Sequence, residues 1–257
     1  MYTSLFRKIL VLGIIFLFAG AGTIPSVNGE SWKIKTTYGE IPRASSADFG
    51  TIIVDDEGDG DYTSIQNAIE NAQNGDTIKV YSGTYTENVL IDKQLTIMGV
   101  DEELGKGDDT GKPIIDGGGK GDVVIINRDA SNVNFSGFMV INGGDNNKNW
   151  DSAIKIFSNN NIIYNNNISF NNLLGITLYS SSGNIISNND FYLNEAGGLV
   201  LSINSPNNTI ICNNFNKDGL LFTTWGEDIE NKLSYWNSQT IEDNLVNGKP
   251  LYYYKNE

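Results

Sequence analysis

The chain has 257 residues, with 31 acidic and 17 basic side chains for a formal charge of −14, one cysteine and no histidine. That balance leaves no clustered Lys and Arg for phosphate binding and excludes nucleic acid as a partner. Without imidazole there is no His-dependent nucleophilic triad, His-ligated zinc or copper site or His proton shuttle, and a single Cys212 permits neither an intrachain disulfide nor a Cys-rich metal centre.

In chain order, Arg7 and Lys8 form a short basic start, Ile9 to Ala21 an apolar run, and small residues follow up to Gly29. Residues 1–29 therefore read as an export signal cleaved near Gly29, and the protein as extracellular, cell-surface or periplasmic. An uncleaved anchor is the competing reading, but the apolar run falls short of the ~20 residues a span needs, and no later segment is long enough for a transmembrane span. Loss of 1–29 removes Arg7 and Lys8 and no acid, so the charge becomes −14 − 2 = −16. Residues 30–50 read as a flexible leader.

A β-branched run, Thr51 to Val54, opens the patterned part. Ile65, Ala68, Ile69 and Ala72 then fall at helical spacing, predicting an amphipathic helix over Thr63–Asn74 with Asp61 or Thr63 as N-cap and Gly75 just past its end. Short β runs follow at Ile78 to Val80, Val89 to Ile91, Leu95 to Ile97, Ile114-Ile115 and Val123 to Ile126.

From Ile154 to Phe222 the sequence repeats. Asn161, Ile163, Asn166, Ile168 and Asn171 recur 23 residues on as Asn184, Ile186, Asn189, Phe191 and Asn194, and 24 further on as Asn208, Ile210, Asn213, Phe215 and Asp218. Such a period, built from short strands and Gly or Asn turns, denotes a solenoid. The Leu-rich consensus and helical segment of a leucine-rich repeat are missing, which leaves an all-β, single-stranded right-handed parallel β-helix over 51–257, capped at its N-terminus by the amphipathic helix. Alternate Ile, Leu and Phe side chains point inward, and the in-register Asn residues stack as structural ladders, Asn161, Asn184, Asn208 and Asn166, Asn189, Asn213. No second cap is evident in the closing "NGKPLYYYKNE", so the C-terminal end reads as truncated, or the chain as one module beside further domains of the same protein.

The stretch "GDGDYTSIQNAIENAQNGDTIKVYSGTYTENVLIDKQLTIMGV" resembles the N-terminal cap and first coil of the pectin-lyase-like superfamily. The coils "NIISNNDFYLNEAGGLVL" and the ending "NGKPLYYY" are similar to NosD-type β-helix proteins of the carbohydrate-binding and sugar-hydrolase (CASH) group, which implies an exported archaeal or bacterial protein. The resemblance covers about residues 51–257 and implies the fold; fold alone does not fix activity.

Each activity the resemblance implies can be checked against the residues. The "QDT" and "DFIFG" strings that carry the paired aspartates of pectin methylesterases are missing. Lyases need Lys or Arg to take a proton, and none occurs between Phe157 and Asn216. Two carboxylates for a glycosidase are offered there only by Asp190 and Glu195, whose spacing within one coil places them on different elements and reads as turn acids. Copper-site assembly, linked to NosD relatives, calls for His, Met or Cys. Here the donors past the leader are Met98 and Met139, each in an apolar run that reads as core, and Cys212, expected in a strand.

No cofactor is required by this reading, but "DDEGDGD" alternates Asp55, Glu57, Asp59 and Asp61 with glycines as oxygen-ligand Ca²⁺ loops do. Gln66 stands where an EF-hand has its bidentate Glu, and a charged turn leading into the helix is the competing reading. Trp150, Tyr164 and Tyr179, flanked by Asn and Ser, are candidates for stacking on a polysaccharide or glycoprotein. Trp225, Trp236 and Tyr252 to Tyr254 read as packing for the distal coils. Two functions result. The first is a non-catalytic secreted or surface module that binds glycans or proteins, or acts as a scaffold. The second is a polysaccharide lyase or glycoside hydrolase with its site on loops or in a missing C-terminal part; a NosD-type accessory role in copper-enzyme maturation is a further alternative.

Overall fold

The computed structural model describes residues 49–202, 204–223 and 232–255. The segment read as an export signal, most of the segment read as a leader, and Trp225 lie outside them. Within them the chain winds as a right-handed parallel β-helix whose coils each give one strand to three sheets. The first sheet stacks β1 (Thr51–Val54), β2 (Thr77–Val80), β5 (Thr96–Gly99), β8 (Asn134–Ser136), β11 (Ile162–Tyr164), β14 (Ile185–Ser187), β17 (Thr209–Ile211) and β20 (Thr240–Glu242). The second runs from β3 (Thr84–Thr86) through β6 (Ile114–Asp116), β9 (Met139–Ile141), β12 (Asn167–Ser169), β15 (Asp190–Tyr192), β18 (Asn214–Asn216) and β21 (Leu245–Val246) to β22 (Lys249–Pro250). The third contains β4 (Val89–Ile91), β7 (Val124–Ile126), β10 (Ser152–Ile156), β13 (Leu174–Leu178), β16 (Gly197–Leu201) and β19 (Leu220–Phe222). Among these pairings only β21 with β22 is antiparallel.

Because a parallel sheet keeps register from coil to coil, one inward position per short strand builds a continuous column. Ile97, Phe135, Ile163, Ile186, Ile210 and Ile241 stack along the first sheet. Ile115, Val140, Ile168, Phe191 and Phe215 stack along the second, where the Phe191 and Phe215 rings lie 4.6 Å apart.

The corners explain the asparagines. In the coils from Asn161 to Asn213 each ladder Asn is buried and follows a residue in the left-handed conformation. Asn165, Asn188, Cys212 and Asp243, all with φ between 53° and 56°, precede Asn166, Asn189, Asn213 and Asn244. The buried Asn donates Nδ2 to Oδ1 of its equivalent in the next coil, at 3.1, 3.1 and 3.0 Å along this ladder. Asn161, Asn184 and Asn208 form a second ladder, and Asn171, Asn194 and Asp218 a third. Each ladder amide thus satisfies backbone groups that a tight buried corner would leave unpaired. Cys212 occupies the left-handed corner position and is exposed, rather than lying in a strand as its sequence surroundings suggested.

Asp218 ends the third ladder, taking Asn194 Nδ2 at 2.8 Å and the Asn194 backbone N–H. Burial pushes its carboxyl up to about 6, against the opposing hydrogen bonds from Asn194. A folded-state value above the unfolded one means that the native protein holds this proton more tightly, so its contribution to stability falls as pH rises from about 4 to 6. Asp218→Asn is expected to flatten that decline and raise the melting temperature at pH 7.5 by about 1–3 °C; calorimetry from pH 4 to 8 checks it, and an unchanged slope counts against it.

The helix α1 spans Ile65–Asn71, shorter at both ends than its periodicity predicts. Ser64, not Asp61 or Thr63, is the N-cap, accepting from the Asn67 N–H, because Glu87 from the first coil accepts from the Ile65 and Gln66 N–H groups and fixes the start there. Ala72 turns extended, and Lys93 Nζ donates to the carbonyls of Ile69, Glu70 and Ala72. Both helix ends are therefore fastened to the first coil, and Ile65, Ala68 and Ile69 close over its core. At the other end Leu251 and Tyr253 pack against the last coil, with Tyr253 stacked on Phe222 at 5.6 Å and donating to the Trp236 carbonyl. Tyr252 and Tyr254, expected to pack there as well, are exposed and stack on each other, since alternate residues of an extended segment face opposite ways.

Candidate functional site

The third sheet has the longest strands, and its outer face carries a groove of about 460 Å³. Parallel register builds its floor: Lys155, Thr177 and Val200 are partners on β10, β13 and β16. The next outward row holds Phe157, Tyr179, Ser202 and Thr223, each bonded to the carbonyl of the preceding coil. The loop between β9 and β10 supplies the wall, with Lys148, Asn149 and Trp150. Trp150 packs on Leu173, Leu174 and Val200 and also lines a second hollow of about 280 Å³ with Leu173, Ala196 and Leu221. Phe157 meets Tyr179 edge to face at 5.7 Å and lies under the Arg128 guanidinium at 5.9 Å. The groove thus joins aromatic faces to amide, hydroxyl and cationic groups.

Its floor contains an ion pair that sequence reasoning missed. Lys155 Nζ lies 2.7 and 2.8 Å from the two Asp122 oxygens and 2.8 Å from the Asn149 carbonyl, with both side chains largely buried. Burial raises the Asp122 carboxyl above its ordinary range, and the Lys155 contact opposes that rise. The pair ties β10 to the segment before β7 and, through Asn149, to the Trp150 loop. A lysine at an outward position of the apolar string "SAIKIF" is the local signal for it, two residues before the Phe157–Asn216 stretch that holds no Lys or Arg. Asp122 has no such local mark.

Of the three aromatic candidates, Trp150 and Tyr179 share the groove. Tyr164 is exposed on the first sheet, beside Ser136 and Ser187, and takes no part in it. Asp190 is exposed on β15, where Asn214 Nδ2 reaches it at 3.3 Å, and Glu195 lies exposed in the turn before β16; neither lines the groove. The acidic loop is split between two roles. Asp61 accepts the Ile53 N–H at 2.8 Å and Asp59 the Lys106 N–H at 2.9 Å, so these two shape the backbone. Asp55 and Glu57 instead bring carboxylate oxygens within 4.8 Å of each other and of Glu103, and Glu57 forms a second such group with Asp56 and Asp109. The hydrogen bond between Glu57 and Asp56, foremost among the causes, pushes the Glu57 carboxyl up to about 7.

Asn-laddered corners, three parallel sheets and an aromatic groove on the longest-stranded of them define a parallel β-helix solenoid. The model of the NosD family, described as periplasmic copper-binding protein, matches residues 117–253, and the chain belongs to that family. Solved structures with similarity include a pectin methylesterase from carrot, at 15% identity and TM-score 0.47 over 76% of this chain. The chain spans 62% of the length of that carrot enzyme. Pectin methylesterases from Erwinia chrysanthemi (11% identity, TM-score 0.40, 78% of this chain and 90% of that one) and Aspergillus niger (15%, 0.39, 82% and 93%) are also similar. No curated protein matches.

The residues present do not fit copper. The inward positions of β5 and β9 are Ile97 and Val140, which puts Met98 and Met139 at half-buried outward positions of two different sheets rather than in the core. Cys212 follows β17, four strands along the first sheet from β5. Among the described residues no group of close potential ligands includes it.

Proposed function

We propose that the protein is an exported, non-catalytic β-helix that binds an oligosaccharide along the outer face of its six-stranded sheet. The observation that carries this reading is the groove itself, in which Trp150, Phe157 and Tyr179 stand beside Asn149, Ser202 and Thr223. Sugar rings present apolar C–H faces and hydroxyl edges, and a site for them combines aromatic planes with hydrogen-bonding groups. Export is supported by the basic and apolar pattern of residues 1–29 and by the periplasmic description of the family; no helix among the described residues is long and apolar enough to cross a membrane. The lysine at the groove floor favours binding over catalysis. Its Nζ is tied to both Asp122 oxygens and to the Asn149 carbonyl, so it is engaged in holding the groove floor together rather than free to reach a substrate.

A glycan array followed by calorimetry on the full chain tests the proposal. Tyr179→Ala is expected to weaken binding about tenfold, the equivalent of ~1.4 kcal/mol, while Tyr164→Ala on the first sheet leaves it unchanged. The reading fails if the wild-type chain binds no glycan, if Tyr164→Ala matters as much as Tyr179→Ala, or if the chain releases product from the bound glycan.

A further inference from the structure

The geometry points to a calcium site in which the carboxylates of Asp55, Glu57 and Glu103 hold the ion, tying the loop after β5 to the turn after β1. The three residues offer oxygens that all lie within 4.8 Å of one another, and Asp56 and Asp109 extend the group through Glu57. Proximity of acids is common at surfaces, and what distinguishes this cluster is its unsatisfied, buried interior. Asp55 is fully buried; its Oδ2 takes the Asp59 N–H, but its Oδ1 meets no donor. Neither Glu103 oxygen has a partner, nor has Asp56 Oδ1, although all of these atoms are shielded from water. Among the described residues the ion pairs are Lys93 with Asp92 and Lys155 with Asp122, so no lysine or arginine neutralises the cluster.

Several buried carboxylate oxygens without donor or counter-charge are costly, and either protonation or a cation removes that cost. The donors are all carboxylate oxygens, with no nitrogen or sulfur among them, which selects a hard cation. Calcium takes 6–8 oxygens in adaptable geometry, whereas magnesium demands a near-ideal octahedron and keeps its water, so an irregular set from two loops suits calcium. Asp59 and Asp61 serve the site by shaping its backbone: their bonds to the Lys106 and Ile53 N–H groups hold the loop and the turn in place. The ion then fastens the first coils and leaves the groove to its own ligand.

Calorimetry of the full chain, stripped of metal and titrated with CaCl₂, tests this. Affinity is expected at Kd of roughly 0.1–1 mM, as in extracellular carboxylate sites, and 5 mM Ca²⁺ is expected to raise the melting temperature by about 3–6 °C, with a smaller shift from Mg²⁺. Glu103→Gln removes one ligand and relieves repulsion, so the metal-free variant should melt no lower than wild type while its calcium affinity falls at least about tenfold. Asp129→Asn, an exposed acid elsewhere, should keep the full shift. Absence of calcium heat and of any shift in wild type overturns the proposal. So does a Glu103→Gln variant with the wild-type response, or an Asp129→Asn variant that loses as much.

Discussion

Asn189→Leu is expected to lower the melting temperature by about 10 °C with the fold otherwise retained. Leucine keeps the branched four-heavy-atom skeleton of asparagine but has no donor or acceptor, so the variant deletes the hydrogen bonds without emptying the site. Asn189 Oδ1 accepts from the backbone N–H and the Nδ2 of Asn166, and its Nδ2 donates to the Ile163 carbonyl and to Asn213 Oδ1. After substitution the Asn166 N–H and the Ile163 carbonyl are left in a buried corner without these partners. At roughly 1–3 kcal/mol per stranded group the cost is about 3–5 kcal/mol, and a chain of this size melts some 2–4 °C lower per kcal/mol. Asn165→Ala at the neighbouring position should cost less, because it strains the left-handed backbone and loses the exposed Lys112 bond to Oδ1 but strands no buried group. Equal losses from the two variants would show that backbone conformation, and not the ladder, holds the corner.

Lys155→Met has the next largest effect. It leaves the Asp122 carboxylate buried beneath the groove with the Ser152 N–H at 2.8 Å and no counter-charge. Breaking a buried pair from one side costs roughly 3 kcal/mol or more. The sign of its pH dependence is set by Asp122. Burial already raises that carboxyl, and removing Lys155 deletes the contact that opposes the rise. The folded variant therefore takes up a proton that the unfolded chain releases, and its deficit should be smaller near pH 4.5 than at pH 8. Adding Asp122→Asn should recover most of the stability at pH 8, since the amide oxygen can keep the Ser152 bond and carries no charge. Urea melts of the two single variants and the double variant at both pH values check this; a deficit that does not change with pH, or is not recovered in the double variant, refutes it.

Much of the fold was legible because a β-helix repeats its environment. Asn161, Asn184 and Asn208 recur at steps of 23 and 24 residues since each enters the same corner and makes the same bonds. The inward Ile and Phe positions were legible for the same reason. What the pattern hid was the division of labour inside the corners. The left-handed residue is the one before the ladder Asn or Asp, and it is Phe170, Leu193, Cys212 or Lys217 as readily as Asn. Its side chain faces outward, so composition leaves no mark on it. The end of α1 was misplaced for a related reason: the N-terminal anchor is Glu87 and the C-terminal one Lys93, both from the first coil rather than from the helix.

The candidate sites were less legible than the fold. Trp150 and Tyr179 could be named one by one, but nothing local told that they share a groove while Tyr164 does not. Sharing depends on which sheet each residue joins. Lys155 and Asp122 are 33 residues apart, and Glu103 enters the acidic cluster from a loop that the alternating Asp and Glu of the turn after β1 do not foreshadow. By itself the sequence determined the solenoid, its period, its ladders and the chemistries that a chain without histidine must forgo, all properties of recurring local environments. Tertiary structure alone decided which loops meet, which aromatics line one groove and which carboxylates face one another unpaired. Those contacts arise from stacking coils at fixed register, which brings together residues that share no neighbourhood along the chain.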